Sequence, residues 1–132
     1  MKVSAKISNS LNQNNITVVT NDQSKSVSID SKENGFGSAV NGGELLLLSL
    51  AVCYCNDIYR EAARKNIEIT SVEVDVSADF GNEGEPGFNF KYTPKIISGA
   101  PPDRIRQLIE HTDSVAEIHK TLRNGVEVNL VR

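Results

Sequence analysis

The chain has 132 residues and a formal net charge of −3 at pH 7, with 14 basic and 17 acidic residues interspersed, so it offers no basic stripe for nucleic acid and no polybasic segment for anionic lipid. No apolar run approaches the ~20 residues that span a bilayer, and the opening MKVSAKISNS lacks the apolar stretch of a secretory signal. The expectation is a single cytoplasmic domain over residues 1–132, small enough for a homodimer to add to its core.

Strands come first, within residues 1–30. Val3, Ala5 and Ile7 alternate with polar neighbours, the stretch from Ile16 to Thr20 is β-branched, and asparagines supply turn chemistry between them. Val27 and Ile29 alternate after a second polar turn. Three short strands are therefore expected, followed by a mobile, aperiodic connection, Gly35-Phe36-Gly37-Ser38, too short for a phosphate loop but able to border a site.

A long central helix is expected over 41–66, opened by a capping box of Asn41 and Glu44. Eight of the nine residues from Leu45 to Cys53 are apolar, which predicts enclosure on nearly every side for the first half. Ile58, Ala62 and Ala63 face Asp57, Arg60, Glu61, Arg64 and Lys65 across the second half, which predicts one buried stripe.

A long antiparallel hairpin with one buried face is expected over 70–98, where Val72, Val74, Val76, Ala78 and Phe80 alternate and Phe88, Phe90 and Tyr92 answer them across a flexible Gly-rich acidic loop. Two helices follow over 102–123. Pro102 and Asp103 open the first, while Ser114 and Glu117 have the spacing of a second capping box. Asn124-Gly125 stops the helix, and Val126, Val128 and Leu130 predict a final strand over 126–132. Strands followed by a few helices define an α+β class, antiparallel sheets packed around a long central helix.

The chemistry-bearing residues are few. Cys53 and Cys55 project from nearly opposite faces of the helix, so they form no intrahelical disulfide, and with His111 and His119 far along the chain they lack a usual zinc spacing. No cofactor or metal is expected. Cys53 has Asp57 at i+4, which disfavours a thiolate. Packing and reactivity both remain open for Cys53, while the apolar neighbours of Cys55 favour packing. Glu44 reads first as a cap; His119 reads as a hydrogen-bonded or solvated histidine that could also approach Cys53 as a base.

The element order, with Asn41-Gly-Gly-Glu-Leu-Leu-Leu-Leu-Ser-Leu-Ala-Val-Cys53, the segment from Ile118 to Leu122 and the closing Gly125-Val-Glu-Val, resembles the OsmC-like family, which includes organic hydroperoxide resistance proteins. The resemblance implies an intertwined homodimer with the central helices at its core. It also implies a peroxidatic cysteine at Cys53, acting on an organic hydroperoxide in oxidative stress defence. The family's resolving cysteine falls at Ala116 and its assisting Glu at Gly43, and no Arg precedes Arg60, Lys32 being the nearest stand-in. What the resemblance then implies is a one-cysteine thiol peroxidase recycled by a small-molecule thiol, with Cys55 as a resolving candidate and Glu44 and His119 as assisting candidates. The alternative is a non-catalytic dimer that binds a small hydrophobic ligand in an interface cleft beside Cys53.

Overall fold

A computed structural model describes residues 1–132 as two compact units, Met1–Leu45 and Leu46–Arg132. The first unit is an antiparallel meander of β1 (Val3–Ser10), β2 (Gln13–Thr20) and β3 (Gln23–Val27), in that spatial order. Its register aligns Ile7 with Ile16 and Ile16 with Val27, and Ala5 with Val18, so the alternating residues make one apolar cross-strand row. Asn12, Asn21 and Asp22 carry the turns, each at positive φ. The connection at 35–38 is tied to this sheet rather than loose. Asn12 donates its backbone N–H to the Gly35 carbonyl at 2.6 Å, and the Asn9 side chain accepts from Gly37 N–H at 2.9 Å. Gly35 sits at φ +86°, where a side chain would be strained and would meet Leu11.

The second unit is built around α1 (Gly42–Arg64), whose first turn begins in the preceding unit. Its start is the expected capping box: Glu44 N–H donates to Asn41 Oδ1 at 2.9 Å and Asn41 N–H donates to Glu44 Oε2 at 3.1 Å. The hairpin of β4 (Ser71–Phe80) and β5 (Gly87–Ile97) is also as expected, with α2 (Pro102–Val115) and α3 (Glu117–Asn124) after it. Tyr54, Ile58 and Ala62 of α1 form the core with Ile67, Leu108 and Ala116, and Val72, Val74, Tyr92 and Ile96 of the hairpin pack against them.

Four expectations need correction. The burial gradient along α1 is reversed: Leu48 and Val52 remain 55% and 50% exposed, while Asp57, Ile58, Glu61 and Ala62 are buried. A continuous apolar run wants cover on every side, and the hairpin and helices of one chain cover only one face. In the hairpin, Tyr92 and Ile96 are half-buried but Phe88 and Phe90 are exposed, because the register shifts between Ser77 and Asp79 and Asn89 takes positive φ, a bulge that turns the strand tip away. The second capping box does not form. Ser114 Oγ bonds the His111 carbonyl instead, and the break between α2 and α3 falls at Ala116, with no side-chain cap on α3. Finally, residues 126–132 form no strand; Val128 is 94% exposed, since an alternating segment without a neighbouring strand has nothing to pair with.

Candidate functional site

Cys53 lies on α1 where that helix meets the start of α3. Its thiol donates to Asp57 Oδ2 at 3.5 Å, one helical turn on, and the backbone N–H of Ile118, in the first turn of α3, favours the thiolate form. Arg60 holds the carboxylates around this point together. Its guanidinium lies 2.8 Å from Asp57 Oδ1, 2.9 Å from Glu61 Oε1 and 3.4 Å from Glu117 Oε1. The same Glu61 oxygen takes Arg64 at 2.9 Å, and Glu61 Oε2 accepts from His111 Nε2 at 2.9 Å. Three elements, α1, α2 and α3, thus converge on one ionic cluster beside the thiol.

The electrostatics follow from that arrangement. Burial pushes the Cys53 thiol up from its ordinary value, and the Asp57 and Glu117 charges push the same way, outweighing the Ile118 N–H. Asp57 is itself pushed up, first by burial, and Glu117 is held down, first by a hydrogen bond from its own backbone N–H. Glu61, receiving Arg60 and then His111, is pulled down to about 2. Cys53 therefore rests as a neutral thiol hydrogen-bonded to a carboxylate.

The Cys53 sulfur and the Asp57 and Glu117 oxygens lie within 4.8 Å of one another, a set that could in principle hold a metal ion. Arg60 already pairs with both carboxylates at the distances given above. A cation would have to displace it, so the donor set fits an ion-pair network better than a metal centre.

The other sequence candidates make no hydrogen bond or ion pair with this cluster. Cys55 is a free, half-buried cysteine beside a shallow depression lined by Ala51, Val52, Asn56 and Val74, and Cys53 is also free. Glu44 is committed to the helix cap, and Lys32 belongs to the first unit, its backbone N–H donating to the Gly37 carbonyl at 3.1 Å. His119 makes no hydrogen bond to Cys53. Its ring stacks edge-on against Tyr92 and tilted against Tyr54, centroids 4.7 and 5.7 Å away, and neither ring nitrogen has a hydrogen-bond partner.

Sequence reasoning found Asp57 as the acid beside Cys53 but missed that Arg60, Glu61 and Glu117 close around it. The spacing of 57, 60, 61 and 64 along one helix was the available signal for the first half of the cluster. Glu117 could not be found that way, since α3 brings it from elsewhere in the chain. A second group was missed outright: Tyr92 Oη donates to Asp113, which also takes Arg123 at 2.7 Å.

Beyond His119 the second unit contains a cavity of about 400 Å³. Leu50, Val76, Phe90 and Leu122 form its apolar wall, and His119, Lys91 and Arg123 supply its polar groups.

The family model described as OsmC-like protein matches residues 35–131 of this chain. Among solved structures, an OsmC-like protein from Mycoplasma pneumoniae is 18% identical with a TM-score of 0.64, the match covering 92% of this chain and 86% of that one. The organic hydroperoxide resistance protein OhrB of Bacillus subtilis is 17% identical with a TM-score of 0.59, covering 96% and 94% of the two chains. A Legionella pneumophila structure described as an organic hydroperoxide resistance protein OsmC is 20% identical with a TM-score of 0.56, covering 93% and 90%. At these identities the likeness concerns the fold. No curated protein matches the chain.

Proposed function

The chain belongs to the OsmC-like family, and from that premise we propose that it is a Cys53-dependent organic hydroperoxide reductase of the one-cysteine type, in which Asp57 takes the part of proton acceptor. The observation that carries this reading is the 3.5 Å contact from the Cys53 thiol to Asp57 Oδ2, with Arg60 fixing the other Asp57 oxygen.

A thiol held above its ordinary pKa is a poor nucleophile until its proton leaves. Asp57 accepts that proton as the sulfur attacks the distal peroxide oxygen. The sulfur–oxygen bond forms, the oxygen–oxygen bond breaks, and the leaving alkoxide takes the proton back from Asp57. Cys53 ends as a sulfenic acid and the hydroperoxide as an alcohol. With Ala116 at the family's resolving position, an external thiol condenses with the sulfenic acid, releasing water, and a second thiol reduces the mixed disulfide. Arg60 acts as a positioning residue, keeping Asp57 oriented and ionised.

The working unit we propose is a homodimer. Support comes from the apolar surface the chain leaves uncovered: Leu48, Val52 and Tyr59 along α1, and Val3 and Ile7 on the outer strand of the first sheet.

Stopped-flow mixing of the reduced protein with cumene hydroperoxide tests the reading. Consumption should be stoichiometric with protein in the absence of added thiol and abolished in Cys53→Ala. Equal consumption by that variant would sink it.

A further inference from the structure

Glu117, the first residue of α3, has no part in the reaction above, yet its carboxylate lies within 4.8 Å of both the Cys53 sulfur and an Asp57 oxygen. That approach leaves a charge unbalanced. The cluster holds three carboxylates, Asp57, Glu61 and Glu117, against two guanidiniums, Arg60 and Arg64. Glu61 takes both arginines and His111, whereas Asp57 and Glu117 share one nitrogen, Arg60 Nη1, at 2.8 and 3.4 Å. Two carboxylates this close on one guanidinium nitrogen are short of one positive charge, and a proton between them supplies it.

Burial decides which of the two holds that proton. The Asp57 side chain is 6% exposed and the Glu117 side chain 66%. Water solvates a charge on Glu117, while a charge on Asp57 is balanced by Arg60 alone, so the proton belongs on Asp57 and the negative charge on Glu117. Burial first, and Glu117 after it, push Asp57 up against the Cys53 and Arg60 contacts, and Glu117 itself is held down.

The consequence falls on the base. An unperturbed Asp, with a pKa of about 3.9, is a weak acceptor for the proton of a thiol at about 8.5, and a partner that stabilises the protonated carboxyl narrows the gap. Resting on the reductase reading, we propose that Glu117 is a positioning residue for the transferred proton: once Asp57 has taken it from Cys53, the Asp57 carboxyl donates a hydrogen bond to Glu117 until the leaving alkoxide claims the proton. The proton that leaves sulfur is the one that completes the alcohol, so none is gained or lost. Glu117 also opposes the thiolate, but as the least of the causes acting on Cys53.

Carbon-13 spectra of protein labelled at the aspartate carboxyls follow Asp57 directly, its resonance being the one lost in Asp57→Asn. Glu117→Gln changes an exposed side chain while keeping its size, and should fold normally. In that variant Asp57 should titrate at lower pH than in the wild type. Consumption of cumene hydroperoxide should slow about tenfold, the effect of losing one hydrogen bond to a charged group. In an Asp57→Asn background the same change should cost nothing further, whereas a merely structural Glu117 would slow both proteins alike. An unmoved Asp57 titration, a Glu117→Gln variant as fast as the wild type or faster, or equal losses in the two backgrounds would each overturn the proposal and leave the reductase reading standing. That reading fails on a different result, undiminished consumption by Cys53→Ala, which would take this proposal with it.

Discussion

Cys53 and Asp57 share a hydrogen bond of 3.5 Å along one turn of α1, with the thiol as donor. The pairing has two opposed effects. It raises the energy of the thiolate, since Asp57 adds to the burial that already pushes the thiol up, and in the proposed reaction it supplies the base at the moment of attack.

Asp57→Asn separates those effects. The variant should titrate at lower pH than the wild type in a series of alkylation rates, because a negative neighbour has gone. Its rate with cumene hydroperoxide should nevertheless fall by about a hundredfold, the lower end of what a positioned general base contributes. A variant that both ionises more readily and reacts faster would show that Asp57 only inhibits the thiol.

Arg60 is the common partner of Asp57, Glu61 and Glu117. Arg60→Ala leaves three carboxylates close together, two of them buried. Removing one partner of a buried pair costs ~3–5 kcal/mol; with the guanidinium side chain 37% exposed, about 2–3 kcal/mol is expected. Urea denaturation at pH 7 should show this as a lower midpoint, with the gap to wild type narrowing as acid protonates the carboxylates.

Acid should unfold the protein in two stages. His119 is held below its ordinary pKa by burial, then by Arg123, and only partly compensated by Asp113. The unfolded chain therefore binds a proton that the folded chain refuses, and stability falls as pH drops through about 6.5. Glu61, at about 2 in the fold against 4.5 unperturbed, contributes stability that is complete above about 4.5 and is lost as pH falls toward 2. Asp57, pushed up by burial, works weakly in the opposite sense. Melting temperatures should record both stages, and His119→Phe should flatten the first while leaving the second.

Local signals in the sequence located most of the fold. The Asn41–Glu44 box, the alternation of Val72, Val74 and Val76, and Pro102 each specify structure through neighbours a few residues away, and each appears where the spacing puts it. What escaped depends on distant partners. Ser114 had the spacing of a cap, but its hydroxyl found the His111 carbonyl, a bond open to any helical serine. Asp57 beside Cys53 could be read from i+4 spacing, whereas the arrival of Glu117 and Ile118 required knowing how α3 packs. His119 followed the same rule: its position on α3 was legible, its place between two tyrosine rings was not.

The exposed stripe on α1 gives the last prediction. Leu48 and Val52 are four residues apart, so they lie on one face, and each is at least half exposed on a helix whose opposite face is core. Because each is about half exposed, leaving the remainder in water forgoes roughly 1 kcal/mol apiece. A twofold partner presenting the same stripe would recover it, because an isologous contact matches like surfaces. Sedimentation of the wild type should give twice the 14.4 kDa chain mass. Val52→Asp places a charge in that contact without touching the Tyr54, Ile58 and Ala62 core, so the chain should stay folded and shift toward monomer. If Val52→Asp remained dimeric, the partner would have to lie elsewhere, with the exposed Val3 and Ile7 of β1 the next surface to probe.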